Sequence, residues 1–267
     1  MGSVTNKTIY YSHEKYGAQL FSRVHERTVP TEKDVMKKSR LLYVSMSRTE
    51  KILGWLYMAF SLLALPTLLN WVNGQLADPL PESTLNFVFY LTNFLFVTGI
   101  FHRFLRASLV AAWRDFWNFI QAVILGYVAY LAATKAMDYL VPLLMPGFSN
   151  INDAAIAELA RANYTLMLIG VVFFAPLCEE MLYRGLIFRE LLPHSTVAAY
   201  LVSMAAFAAI HVLGYIGSAD VARLVLCFIQ YLPAGLCLAW TYTKADNIFA
   251  PTLVHAIVNA VSIGALR

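Results

Sequence analysis

The stretch FFAPLCEEMLYRGLIFREL, residues 173–191, decides the fold. It is apolar enough to sit in a membrane-crossing helix. Yet it carries two adjacent carboxylates, Glu179 and Glu180, and the guanidinium of Arg184. Ionisable side chains inside a span are costly and mark a functional site by default. The rest of the chain agrees with a membrane setting. Of its 267 residues 59% are hydrophobic and 13% charged, against about 25% charged in a soluble domain. The sequence therefore predicts an all-α, polytopic bundle of transmembrane helices.

Residues 1–51 are polar, with ten Lys or Arg against five Asp or Glu, and form a cytoplasmic segment in this reading. The transmembrane domain, 52–267, holds seven expected spans, or six to eight if the long third span breaks or the N-terminal segment dips into the bilayer. Their boundaries are 52–73, 85–105, 116–144, 164–192, 196–214, 221–243 and 248–266. Each is near the roughly 20 apolar residues that cross a bilayer. The linker between the third and fourth spans is long enough for a short interfacial helix. With the N-terminus cytoplasmic, sixteen of the twenty basic residues fall on the inner side, as the positive-inside rule requires. The N-terminus lacks the apolar run of a signal peptide, and Asn6 breaks the myristoylation pattern. Cys178, Cys227 and Cys237 are not at a metal-finger spacing. A net charge of +4 gives no case for nucleic acid. The lipid bilayer is the expected surrounding, in a prokaryotic cell membrane or an endoplasmic reticulum membrane.

Polar groups on three spans can reach one depth. Spans four and five form a hairpin turning at Pro193-His194-Ser195, with proline closing one helix and serine capping the next. Glu180 precedes Pro193 by thirteen residues and His211 follows Ser195 by sixteen, so both lie about 20 Å from the turn at 1.5 Å per residue. On the last span His255 and Asn259 are four apart and share a face. Glu180 and Arg184 have the i, i+4 spacing of an ion pair, and Glu179 points about 100° away. Each group alone could be structural: a buried ion pair, a histidine donating to a carbonyl, an interhelical hydrogen bond. Three converging at one level point to a site. His13, His25, His102 and His194 lie outside it, His102 beside a basic loop.

The cluster has no nucleophilic serine or cysteine, since Cys178 points away from Glu179 and the carboxylate beside it raises a thiol pKa. Water activation remains. Glu179 can act as general base on a water shared with His211, while His255 and the Asn259 amide donate to a developing oxyanion. Alternatively Glu179, His211 and His255 could ligate a divalent metal such as zinc, which would activate the water itself. The residues alone leave both versions open.

EEMLYR (179–184), FAAIH (207–211) and HAIVN (255–259), in that order on successive apolar helices, resemble the three motifs of the type II CAAX prenyl endopeptidases. That family includes the related bacterial bacteriocin-processing and immunity proteins, called CPBP or Abi proteins. The resemblance runs from Pro176 to the C-terminus; the first half of the chain matches only as hydrophobic helices. It implies an intramembrane protease open to the cytosolic side, acting on a membrane-associated peptide or protein, prenylated or leader-bearing. It implies that Glu179 and His211 activate water, that Glu180 and Arg184 support the site, and that His255 and Asn259 bind the oxyanion. Two other classes compete: a catalytically silent scaffold or immunity protein, and a proton-relay transporter. The transporter is disfavoured because the sequence has no inverted repeat.

Overall fold

The computed structural model describes residues 44–267, so most of the polar segment 1–51 lies outside the described residues. The described part is helical throughout, without a strand. Ten helices follow in order: α1 Arg48–Leu63, α2 Leu65–Gly74, α3 Glu82–Ile100, α4 His102–Arg114, α5 Phe116–Leu144, α6 Ile151–Ala162, α7 Tyr164–Leu191, α8 Thr196–Leu213, α9 Val221–Ala245 and α10 Phe249–Gly264. Helices are the expected solution, because a chain in hydrocarbon must satisfy its backbone hydrogen bonds within each segment.

Five of them, α3, α5, α7, α8 and α9, are long and apolar enough to cross a membrane. They match the second to sixth expected spans. The first expected span is the α1–α2 pair, which passes together but is bent by 49°. The bend follows from Pro66 in the first turn of α2, where proline removes a donor and clashes with the preceding turn. The seventh expected span is α10, apolar but only 16 residues long. The interfacial helix expected after the third span is α6, opened by Asn150, whose side chain accepts from the backbone N–H groups of Asn152 and Asp153.

Arginines 103, 106 and 114, expected in a basic loop, lie instead on a helix, α4. Its apolar residues Phe104 and Leu105 are buried in the bundle, and that anchorage makes it helical. Glu50 holds its first turn. The carboxylate accepts from the Phe104 N–H at 2.8 Å and, within a capping box, from Ser47 N–H at 2.9 Å. An acidic group at a helix N-terminus meets unpaired donors and the positive end of the dipole.

α7 is the central helix. Inside the protein 61% of its most apolar window is buried, against 17–28% for the other four spans. It packs on α3, α8 and α10, while α9 lies between α5 and α8. The α8–α9 contact is unusually close at Gly235, where a Cβ would stand 2.9 Å from Met204 Cα. Only glycine lets the two backbones approach so far.

The basic residues of α4 and Arg189 gather at one end of the bundle, where Arg189 stacks over Phe104. By the positive-inside rule that end is expected in the cytoplasm. In a variant lacking the native cysteines, Arg106→Cys should resist a membrane-impermeant maleimide in intact cells, and Ser149→Cys should react. The opposite labelling pattern inverts the topology.

Candidate active site

The site begins with a defect in α7. Pro176 sits in mid-helix and has no N–H. The turn before it widens to π geometry over Gly170–Phe174, with the Ala175 N–H bonded to the Gly170 carbonyl. In that register the next carbonyl, Val171, would accept from residue 176, and proline offers nothing. The Val171 carbonyl accepts instead from Asn259 Nδ2 of α10, at 2.9 Å. A backbone carbonyl left bare by proline thus fixes α10 against α7.

A second π stretch, Met181–Phe188, follows the two glutamates. Its Tyr183 carbonyl accepts from Ser203 of α8 at 2.9 Å. Within it lies Arg184, fully buried. One nitrogen donates to Glu180 Oε1 at 3.0 Å and another to the Gly235 carbonyl of α9 at 2.8 Å. Its guanidinium carbon stands 4.5 Å from the centre of the Phe207 ring, a cation–π contact in a desolvated place. The close approach at Gly235 is what brings that carbonyl within reach.

Glu180 is the joint between helices. The same oxygen that receives Arg184 also bonds His255 Nδ1 of α10 at 3.0 Å. His211 Nδ1 bonds the Phe207 carbonyl, one turn back, at 2.8 Å. A carbonyl only accepts, so this nitrogen carries the hydrogen. With both Nδ1 atoms engaged, the two Nε2 atoms face Glu179. Each is 3.9 Å from Glu179 Oε2. That oxygen is buried and has no hydrogen-bond partner among the described residues. The Glu179 side chain is nevertheless 25% exposed, whereas Glu180 is 0% exposed. Of the two carboxylates only Glu179 can meet a ligand.

The structure therefore brings Glu179, Glu180, Arg184, His211 and His255 into one cluster. Asn259 stands one turn beyond His255 with one amide hydrogen committed to Val171 and a second remaining on the same nitrogen. Cys178 is buried. Among the described residues no group of three or more His, Cys, Asp or Glu side chains is arranged to hold a metal ion. Metal bonds of about 2.0–2.2 Å at a tetrahedral angle place donor atoms about 3.4 Å apart. The 3.9 Å separations around Glu179 are about half an ångström wider than that.

Sequence reasoning missed four participants. Phe207 opens the second motif, and its ring also packs edge-on to His255 at 5.6 Å. Gly235 carried no signal beyond being a glycine in a span. Tyr231 stacks on His211 with ring centres 4.2 Å apart and is bonded to Asp153 of α6. The proline signal was present: Pro176 inside an apolar run announces a carbonyl in need of a donor.

By depth the cluster spans the middle of the bundle. His211 is in the last turn of α8, about 22 Å from the α7–α8 turn at 1.5 Å per residue, while Glu179 is twelve residues from the end of α7 and His255 six from the start of α10.

Residues 161–261, which contain every motif, match the family model described as Type II CAAX prenyl endopeptidase Rce1-like. The resemblance read from the three motifs holds over this segment. A curated relative, UPF0177 protein YxdF of Lactococcus lactis subsp. lactis (strain IL1403), is 24% identical over 158 residues, covering 58% of this chain and 78% of that protein. No solved structure matches.

Two stability measurements check the site's construction. Asn259→Ala leaves the Val171 carbonyl bare and should cost about 1–3 kcal/mol. In a Pro176→Ala background, where residue 176 regains an N–H, the same change should cost distinctly less. Equal costs in both backgrounds would disprove the link. Arg184→Leu strands a buried carboxylate and should cost about 3–5 kcal/mol, read as a lowered Tm in detergent.

Proposed function

We propose that this chain, Rce1-like over residues 161–261, is an intramembrane endopeptidase that cleaves a membrane-associated peptide with a water activated by Glu179. The observation that carries this reading is the placement of Glu179 Oε2 at 3.9 Å from Nε2 of both His211 and His255. A water held there touches a base and two imidazoles. The family match and the apolar spans support a peptide substrate presented at the membrane. The bacterial relative supports a prokaryotic cell membrane.

The residues divide the chemistry. Glu179 takes a proton from the water as its oxygen attacks the scissile carbonyl carbon. His211, its hydrogen fixed on Nδ1 by the Phe207 carbonyl, offers the Nε2 lone pair to the same water and keeps it aligned. His255 donates its Nδ1–H to the Glu180 carboxylate, so its Nε2 donates to the oxyanion as the imidazolium, whose charge that carboxylate balances. The free N–H of Asn259 supplies a second donor. The proton on Glu179 then passes to the departing amine as the tetrahedral intermediate collapses. Removing one oxyanion donor typically costs about 100- to 1000-fold. General base catalysis contributes about 100- to 10,000-fold.

The test is cleavage of lipidated and leader-type peptides by purified protein in detergent. Glu179→Gln should lower kcat by at least about 100-fold with Tm unchanged, and a chelator should leave cleavage intact. Cleavage that survives Glu179→Gln sinks the assignment. Absence of cleavage by the wild type, across the peptide set, favours a silent scaffold instead.

A further inference from the structure

We propose that Tyr231, anchored by Asp153, is a positioning residue that holds the His211 ring in its working orientation. This rests on the protease reading for its purpose, but its geometry stands apart from it. Among the described residues His211 has one hydrogen bond to protein, from Nδ1 to the Phe207 carbonyl, and a single bond leaves the ring free to rock about it. The Phe207 ring meets one part of the imidazole at a tilt, with centres 4.8 Å apart. Tyr231 lies against it nearly parallel, at 4.2 Å and 26°. The two rings leave His211 one plane, and in that plane Nε2 faces Glu179.

Tyr231 is itself held from outside the span. Its hydroxyl donates to Asp153 and accepts from Asn152 Nδ2 at 3.0 Å. Both residues lie in the first turn of α6, which Asn150 caps. Asn150 also donates to Gln230, the neighbour of Tyr231 on α9, at 2.8 Å. The first turn of an extramembrane helix therefore grips α9 at two consecutive residues directly behind the imidazole. Burial pushes the Asp153 carboxyl upward and the Tyr231 hydroxyl pulls it back, consistent with a carboxylate kept in place by that donor. None of this is needed to close the bundle: α9 is already packed along α5 and α8. The arrangement does one thing beyond packing, which is to fix the angle of His211.

The experiment is nitrogen NMR of protein labelled at its histidine rings, with the His211 signal identified by its loss in His211→Gln. Wild type should show His211 as a single tautomer, hydrogen on Nδ1, with its two ring nitrogens widely separated in shift. Tyr231→Leu should average the two nitrogens towards one value, and the isosteric Tyr231→Phe and the distant Asp153→Ala should each do so partly. The double change Tyr231→Phe with Asp153→Ala should equal Tyr231→Phe alone, since Asp153 acts through the tyrosine hydroxyl. Unaltered His211 shifts in Tyr231→Leu, or additive effects in the double variant, overturn the proposal. This readout needs no substrate, so it is decided even if the protease reading fails. Where cleavage is measurable, Tyr231→Leu should lower kcat about tenfold at unchanged KM. A raised KM at unchanged kcat makes Tyr231 a substrate contact and overturns the positioning role.

Discussion

One oxygen of Glu180 joins three helices. It receives Arg184 from its own helix and His255 from α10, each at 3.0 Å, and Arg184 carries the connection on to α9 through the Gly235 carbonyl. In a protein interior an ion pair gains little against hydrophobic packing of the same shape, yet breaking it is expensive. Such a pair is therefore better understood as a specification than as a source of stability. It admits one register of α7 against α9 and α10, because any slip separates charges that cannot be left alone. The neighbouring Glu179 benefits: with Glu180 neutralised by a cation, a second carboxylate one residue away can exist in a low-dielectric place.

The π stretches of α7 serve the same end. Widened turns inside α-helices recur at functional sites because they release carbonyls and redirect side chains. Here each stretch hands a carbonyl to a neighbouring helix, Val171 to Asn259 and Tyr183 to Ser203. Between them lie Glu179 and Glu180. Backbone groups that a regular helix would have hidden become the fastenings of the bundle.

Much of this was legible in the residues. The helices could be placed because hydrocarbon permits few alternatives to them, and the common depth of Glu180 and His211 followed from a fixed rise per residue on either side of one turn. That Glu179 turns away from the Glu180–Arg184 pair followed from helical angles; that Glu180 also receives His255 did not. What stayed hidden depends on approach between distant parts. Tyr231 reaches His211 only because α9 passes behind α8, and Asp153 only because α6 folds back over α9. Helix α4 was hidden for another reason: its first residues were counted into the expected second span and its arginines into the loop after it. Asn259 was assigned to the oxyanion without notice of the carbonyl that Pro176 leaves in front of it.

The pairing of Glu180 with Arg184 inside one helix bears on how such a chain is made. α7 is synthesised before α9 and α10, so it enters the bilayer without the Gly235 carbonyl or His255. An internal pair at i, i+4 already cancels the charges of Glu180 and Arg184, and the helix can partition into lipid while waiting for its partners. The last helix then supplies His255 and Asn259 together. Biogenesis thus keeps the cluster incomplete until the final span is in place, and a chain released early holds the Glu180–Arg184 pair without His255 or Asn259.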